Sequence, residues 1–233
     1  MNKLNVVAIA LAIMPMAAAE AAITVVIDDF SSAGPVFPYV RTTVTPGAAS
    51  GFLETGLTGV IGGNRVSALG LVAADLPGLD STSLSVAPSF GLLDFSSTSG
   101  AIGRPLFYYG DFAGFLPAIN LTVPDGSVAE FEFLSYDLPG GQPLLVNLEL
   151  ANGPVFESKF AALTTAGPST LAFDLDVFSP SIRSNVTGIS IRYFAPKAAD
   201  FRLDTITVVV PEPSAVVALL APAVRAMVRR RRA

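Results

Sequence analysis

The sequence contains neither histidine nor cysteine, so its carboxylates are the side chains best suited to acid–base chemistry. A Ser-His-Asp triad, a thiol nucleophile, a thiolate zinc site and a disulfide are all excluded. Glu130 and Glu132 offer one carboxylate pair, since residues two apart on a strand share a face at about 7 Å. Such pairs serve glycoside hydrolysis. Glutamates that point to solvent are common on strands without any catalytic role, and the same holds for the second pair, Asp174 and Asp176. We therefore predict no catalytic residue and a non-enzymatic protein, with a glycoside-active enzyme as the second alternative.

A strand must position these glutamates, and short alternating runs fill the middle of the chain. In Val128–Leu134, Phe131 and Phe133 take one face while Glu130 and Glu132 take the other. Period-two alternation with one polar face is typical of antiparallel strands with one packed and one solvated side. The predicted strands are Ile23–Ile27, Val40–Val44, Arg65–Val72, Ser83–Ala87, Leu106–Tyr109, Ala118–Val123, Val128–Leu134, Val146–Leu150, Leu171–Val177, Ile189–Tyr193 and Leu203–Val210.

Turn-forming residues separate these runs, and no long helical period lies between them. Gly62-Gly63-Asn64, Pro124-Asp125-Gly126 and Asn152-Gly153-Pro154 are examples. Many short strands at fairly regular spacing favour an all-β fold, a two-sheet antiparallel β-sandwich with a jelly roll preferred. We expect an N-terminal signal helix and a short apolar C-terminal helix to flank it.

The N-terminus indicates export. Lys3 supplies positive charge, Leu4–Ala19 is apolar, and small residues such as Ala17 and Ala19 suit a signal peptidase. We predict a signal peptide over 1–22, cleaved between Ala19 and Ala22, followed by a β-sandwich domain over 23–209. A buried core helix is the alternative.

The C-terminus, 210–233, combines a turn, an apolar segment and a basic end. Pro211, Glu212 and Pro213 interrupt regular structure, Ala215–Val228 follows, and four arginines come next: Arg229, Arg230, Arg231 and Arg232. This order resembles the PEP-CTERM sorting signal of Gram-negative bacteria. The resemblance implies processing by exosortase, transient retention in the inner membrane, and delivery to the cell surface or extracellular matrix.

The apolar segment departs from that family's pattern. It has 14 residues, interrupted by Pro222 and Arg225. As a helix it would span about 21 Å, which is short of a hydrocarbon core of about 30 Å. The segment therefore suits transient retention better than a permanent span. An amphipathic C-terminal helix is the alternative.

The predicted domain is more acidic than the whole chain. Lys3, Arg225 and Arg229–Arg232 account for six of the 14 basic residues, and Glu20 and Glu212 for two of the 19 acidic ones. This leaves 8 basic against 17 acidic residues, a net charge near -9. Such a surface repels phosphate backbones, so we predict no nucleic-acid partner.

The two ends of the domain carry a second resemblance. Asp28-Asp29-Phe30 closes the first predicted strand, and Phe201-Arg202-Leu203-Asp204-Thr205-Ile206 opens the last. This pairing resembles the galactose-binding-like jelly roll of many carbohydrate-binding modules. The resemblance implies that the first and last strands are neighbours. It also implies a structural Ca²⁺, with Asp204 and one of Asp28 or Asp29 as ligands, since calcium prefers hard oxygen donors. Strand-end carboxylates without a metal are the alternative.

These features support a structural surface or matrix protein first, because the chain is 51% hydrophobic and 14% charged. A carbohydrate-binding module for extracellular polysaccharide is the alternative. The best aromatic patch for stacking on sugars is Phe107-Tyr108-Tyr109, with Phe112 and Phe115 nearby. These rings suit a core equally well, so no ligand-binding residue is predicted. The expected partners are signal peptidase, exosortase, the membrane and, for the module, a polysaccharide.

Overall fold

The computed structural model describes residues 22–33, 39–111 and 116–211. Ala22–Pro211 forms one compact unit. Residues 1–21 of the predicted signal peptide, the residues Glu212 and Pro213, the apolar segment and the four arginines lie outside the described residues.

Strands dominate the described chain and account for 58% of the structure. They are β1 (Ala22–Asp28), β2 (Tyr39–Thr43), β3 (Ala49–Thr55), β4 (Asn64–Ala74), β5 (Thr82–Ala87), β6 (Leu92–Ser97), β7 (Ala101–Gly110), β8 (Val128–Tyr136), β9 (Leu144–Asn152), β10 (Val155–Leu163), β11 (Ser169–Asp174), β12 (Gly188–Phe194) and β13 (Phe201–Pro211). The described helical pieces are the single turn α1 (Pro180–Arg183) and short 3₁₀ turns at Ile61–Gly63, Pro139–Gly141 and Leu175–Val177. No helix in the described ranges is long and apolar enough to cross a membrane.

The strands form two antiparallel sheets. The first has the order β11-β8-β13-β6-β5-β2, with β1 also paired to β13, and the second has the order β10-β9-β12-β7-β4-β3. The predicted all-β, two-sheet antiparallel sandwich is confirmed. Val25 of β1 lies opposite Val208 of β13, so the first and last strands are neighbours, as the resemblance implied.

The core lies between the sheets and is rich in aromatic rings. Phe131 and Phe133 point inward from β8 and are buried, whereas Glu130 and Glu132 point outward, as the alternation predicts. Phe201 of β13 stacks on Phe95 of β6 at 5.0 Å between ring centroids and meets Tyr193 of β12 at 5.2 Å. Contacts between rings from both sheets hold the two layers together.

Two predicted strands differ from the structure. Ala118–Val123 is not a strand: its only ladder contact in the described residues is a bridge between Leu121 and Val186, because its neighbour is irregular chain after α1. Its alternating side chains still enter the core. The strand predicted over Leu171–Val177 ends at Asp174, whose carboxylate accepts a hydrogen bond from the Asp176 amide at 2.9 Å and starts a 3₁₀ turn.

Three strands were not predicted: β3, β6 and β10. Both β3 and β10 lie at edges of the second sheet, where both faces of a strand meet solvent and alternation is weak. Phe52 and Leu53 are both exposed on β3, for example. Pro211 ends β13 opposite Ala22, which suits a residue that lacks a backbone donor.

Candidate functional site

The surface with the greatest chemical variety is the solvent side of the second sheet, formed by β9, β12, β7 and the edge strand β10. We call it the outer face. Alternation turns Ile189, Ile191 and Tyr193 of β12 into the core, where all are buried. The intervening residues of these strands therefore point outward. They are Leu145, Asn147 and Glu149 on β9, Phe160 on β10, Ser190, Arg192 and Phe194 on β12, and Ile102, Arg104, Leu106 and Tyr108 on β7.

The strand register aligns these side chains in rows across the outer face. Ser190 lies between Glu149 and Tyr108. Arg192 lies between Asn147 and Leu106 in the next row. Asn147 and Ser190 are themselves buried, whereas Glu149, Arg192 and Arg104 reach solvent beside apolar and aromatic side chains. This is the composition of a surface that binds an amphipathic ligand.

Aromatic rings lie at one end of the outer face. The Phe160 and Phe194 ring centroids are 5.8 Å apart, and the Phe160 side chain is 62% exposed. The Arg104 guanidinium lies over the Phe194 ring, 4.8 Å from its centroid. These rings are accessible to a ligand, unlike most of the aromatic residues of the core.

An open groove of about 470 Å³ runs beside these rings. Its walls combine apolar and hydrogen-bonding side chains from β7, β9, β12 and the loops next to them: Ile102, Arg104, Gln142, Leu145, Phe194 and Lys197. A volume of this size lies in the range of small-molecule sites, roughly 300–1,000 Å³.

Arg104 and Arg192 of the outer face differ in their partners from four other described basic residues. Arg65, Arg183, Lys197 and Arg202 each form an ion pair. Among the described residues, no carboxylate lies within 4.0 Å of Arg104 or Arg192. Asn147, next to Arg192, is held by hydrogen bonds from its Nδ2 to Ser158 Oγ and to the Lys159 carbonyl oxygen at 3.1 Å. Its side-chain oxygen is thereby oriented.

A second polar cluster lies inside the sandwich, around Asp28. Its Oδ2 accepts hydrogen bonds from Arg65 Nη1 at 2.7 Å and from the Tyr109 hydroxyl at 2.9 Å, and its Oδ1 accepts one from the Phe30 amide at 2.8 Å. Glu54 binds the other edge of the guanidinium, with Arg65 Nε at 2.9 Å from Oε2, and also accepts from Ser67 Oγ at 2.6 Å.

Burial governs the protonation of this cluster. Burial raises the pKa of Asp28, and the charge and hydrogen bond of Arg65 oppose that rise. For Arg65, burial alone would lower the pKa, but Asp28 and Glu54 raise it, so the guanidinium stays charged. Burial and the negative charge of Asp28 raise the pKa of Tyr109, so its hydroxyl remains a donor. The cluster therefore lies in the interior, and Arg65 at its centre is fully buried.

The predicted calcium ligands do not form an evident metal centre. Asp28 is engaged by three donors, two of them side chains. Asp29 Oδ1 accepts from the Ser31 amide at 2.9 Å, and Asp204 lies where the pairing of β13 with β8 shifts register. Among the residues that the structure describes, no three acidic side chains form a group that could hold a metal ion. These carboxylates therefore fit Ca²⁺ poorly, and the ion stays a prediction.

The predicted aromatic patch divides between the two sides of β7. Phe107 and Tyr109 are buried in the core, whereas Tyr108 points to the outer face. Phe112 and Phe115 lie outside the described residues. Sequence reasoning missed Phe160, Phe194 and Arg104. Alternation along the predicted strand Ile189–Tyr193 turns Arg192 away from the packed side chains of Ile189, Ile191 and Tyr193. This is the signal in the sequence for a polar surface on this side of the strand.

The carboxylate pair Glu130 and Glu132 lies on the other sheet. Glu132 is opposite Thr170 and Thr205, and Glu130 is opposite Ala172 and Thr207, on the strand next to the edge strand β11 of the first sheet. Of the predicted sorting motif, only Pro211 belongs to the described residues.

A comparison with known proteins finds no family model and no curated protein that matches the chain. Among solved structures, it is similar to the family 11 carbohydrate-binding module of the cellulosomal cellulase Lic26A-Cel5E of Clostridium thermocellum, at 14% identity over 82% of this chain and 96% of that one, with a TM-score of 0.36. A structure of the family 11 module from the same organism, in complex with a β-1,3-1,4-mixed-linked tetrasaccharide, matches at 14% identity over 81% and 95%, with a TM-score of 0.35. TmCBM61 in complex with β-1,4-galactotriose matches at 8% identity over 72% and 86%, with a TM-score of 0.26.

Proposed function

We propose that the Ala22–Pro211 domain is a carbohydrate-binding module that holds an extracellular polysaccharide on its outer face. The observation that carries this proposal is the open groove beside the Phe194 ring, bordered by hydrogen-bonding side chains. Sugar rings have apolar faces that stack on aromatic rings and hydroxyls that need polar partners. The groove on the outer face offers an aromatic ring, Phe194, next to the hydrogen-bonding side chains of Arg104 and Gln142. The proposed action is binding alone and includes no catalytic step.

A variant series tests this proposal. The domain is run on native gels that contain a soluble polysaccharide, and the retardation gives its affinity. Phe194→Ala removes the ring beside the groove, and we expect affinity to fall about 10-fold, which corresponds to about 1.4 kcal/mol. Phe90→Ala is the matched control because Phe90 is 77% exposed in the turn after β5 of the other sheet. Equal loss in both variants, or in neither, would contradict the proposed site.

The proposal extends to where the domain acts. We propose export through the N-terminal signal and sorting by exosortase through Pro211, Glu212 and Pro213, to the surface or matrix of a Gram-negative-type bacterium. The supporting observation is the order of proline turn, apolar segment and basic end in the sequence. Intact mass spectrometry of the secreted protein tests it. A mature mass that still includes Arg229–Arg232 would contradict processing at this signal.

A structural role in the matrix is the second candidate. The edge strand β10 supports it, since Val155, Phe156 and Phe160 are each more than half exposed. Exposed apolar edge strands favour contacts with other chains. Specific retention by one polysaccharide would favour the module, whereas self-association without retention would favour the structural role.

A further inference from the structure

The outer face concentrates unpaired positive charge in a domain whose net charge is near -9. Arg192 of β12 lies opposite Leu106 of β7, and Arg104 is two residues from Leu106 on the same side. Arg104 and Arg192 are therefore diagonal neighbours on adjacent strands, with about 7 Å between their Cα atoms. Both side chains are positively charged, and no described carboxylate pairs with either one. Two adjacent arginines without a counter-ion suit a ligand that brings the negative charge.

The geometry of Arg104 favours an anionic group. Its guanidinium lies over the Phe194 ring at 4.8 Å, so one face is covered while the N–H groups along its edge stay available. A guanidinium edge matches carboxylate or sulfate oxygens in a bidentate arrangement. The stacked ring also restricts the side chain, so less conformational freedom is lost when an anion binds.

Neighbouring charges mark which part of the outer face is positive. Lys197 at the end of the groove is neutralised by Asp75. Glu149 lies in the row beyond Arg192, toward Tyr108, and no ion pair joins it to Arg192. The positive part thus centres on Arg104 and Arg192, next to the groove and the Phe194 ring.

Resting on the proposed function, we infer that the ligand is an acidic polysaccharide, and that Arg104 and Arg192 bind the carboxylate or sulfate groups of its sugar residues. The Phe194 ring and the groove bind the sugar ring beside the charged group. Because these contacts are electrostatic and exposed, binding weakens as salt screens them.

Affinity electrophoresis with three polymers tests this inference: polygalacturonate as the carboxylate polymer, a sulfated galactan as the sulfate polymer, and a neutral mixed-linkage β-glucan. We expect the wild-type domain to bind one of the acidic polymers at least ~10-fold more tightly than the neutral one. We expect Arg104→Gln and Arg192→Gln each to weaken that binding about 10-fold. Raising the salt from about 0.05 to about 0.5 M should weaken it as well.

Arg202→Gln is the matched control because it removes the same charge from the first sheet, where Arg202 is paired with Asp94 at 3.1 Å. Its affinity should stay within about two-fold of the wild type. Equal or tighter binding of the neutral glucan, unaffected by Arg104→Gln, would overturn this inference and leave the proposed function standing. Retention by none of the three polymers would overturn both. If the domain bound duplex DNA, and Arg104→Gln and Arg192→Gln weakened that binding, the inferred ligand would be a nucleic acid and the polysaccharide would be excluded.

Discussion

The Asp28 carboxylate lies 2.7 Å from the Arg65 guanidinium, and both side chains are fully buried. Asp28 ends β1 of the first sheet, and Arg65 belongs to β4 of the second, so the pair joins the two layers. Arg65 Nη2 also donates to the Ser32 carbonyl oxygen at 3.2 Å, which fixes the chain just after β1. One guanidinium therefore donates to two buried carboxylates and a backbone carbonyl, and it is the cation that balances both carboxylate charges.

Removing this guanidinium should destabilise the domain strongly. In Arg65→Leu, Asp28 and Glu54 lose their shared cation inside the sandwich. Breaking a buried ion pair by deleting one partner costs about 3–5 kcal/mol, because the remaining charge is buried without compensation. Urea unfolding followed by circular dichroism measures the change in the free energy of unfolding.

Arg202→Leu is the control for Arg65→Leu. Its ion pair with Asp94 is partly solvated, with side-chain exposures of 59% and 39%. Exposed pairs contribute about 0–1 kcal/mol, so this variant should unfold near the wild-type urea concentration. A comparable loss in both variants would mean that the buried pair has no special role in joining the sheets.

Gly103 of β7 should not tolerate a side chain. A Cβ at this position would lie 2.6 Å from Phe95 Cζ and 2.7 Å from Thr82 Cγ2, which are packed side chains of the first sheet. Overpacking of this kind costs about 1–3 kcal/mol, so Gly103→Ala should lower the free energy of unfolding by that amount.

Gly51 of β3 provides the matched control for Gly103. A Cβ there would lie 3.5 Å from Ala68 Cβ, an ordinary contact. Gly51→Ala should leave the free energy of unfolding unchanged or raise it slightly, since alanine restricts the unfolded chain. Thermal unfolding of both variants compares the two. Equal destabilisation would show that the sheets are not in close contact at Gly103.

Asp80 should make the stability of the domain sensitive to acid. Its Oδ2 accepts a hydrogen bond from the Leu76 amide at 2.8 Å, and its Oδ1 accepts one from Thr98 Oγ1 at 2.9 Å. These donors lower the pKa of Asp80 below its usual value of 3.8. The unfolded chain therefore binds the proton first as the pH falls. The stabilisation is present above about pH 4 and is lost as the pH falls through the folded-state pKa.

Comparison with Asp80→Asn isolates this contribution. The difference in free energy of unfolding between wild type and Asp80→Asn should be full at pH 7 and shrink as the pH falls below about 4. Thr98→Val removes one donor, so the folded-state pKa of Asp80 should rise toward its usual value, and the acid-dependent loss of stability should be smaller and complete at a higher pH. A difference that does not shrink as the pH falls below about 4 would exclude the Asp80 carboxylate as its source.

The sequence predicted most strands because one face of each packs against the core. In β8, Phe131 and Phe133 alternate with Glu130 and Glu132; the structure buries the phenylalanines, and it exposes Glu132 and partly exposes Glu130. The same rule fails at β10, where Phe156 and Phe160 lie on the exposed side of an edge strand. Alternation of apolar and polar residues arises when one face of a strand is buried. It therefore does not reveal a strand that is little buried on either face.

The outer face was less predictable than the fold. Tyr108 and Arg192 belong to predicted strands, and their outward direction follows from alternation. That Arg104 should lie over Phe194, however, depends on β7 and β12 being neighbours, although 77 residues separate the last residue of β7 from the first of β12 in the chain. The same holds for Arg65 and Asp28. Strand order decides such contacts, and local sequence patterns do not determine strand order.

Calcium is one of the predictions from the sequence that the structure does not test, and the contacts of Asp28 give an expectation for it. A cation at Asp28 would have to displace or approach the Arg65 guanidinium, which binds the same Oδ2 oxygen. We therefore expect no binding heat on titration of the domain with CaCl₂. We also expect the same melting temperature, within about 1 °C, after chelation. A calcium-dependent rise in melting temperature that disappears in Asp204→Asn would contradict this expectation and support Asp204, with one of Asp28 or Asp29, as the ligands. The matched control is Asp94→Asn, whose carboxylate pairs with Arg202 on the solvated side of the first sheet and should leave any calcium response unchanged.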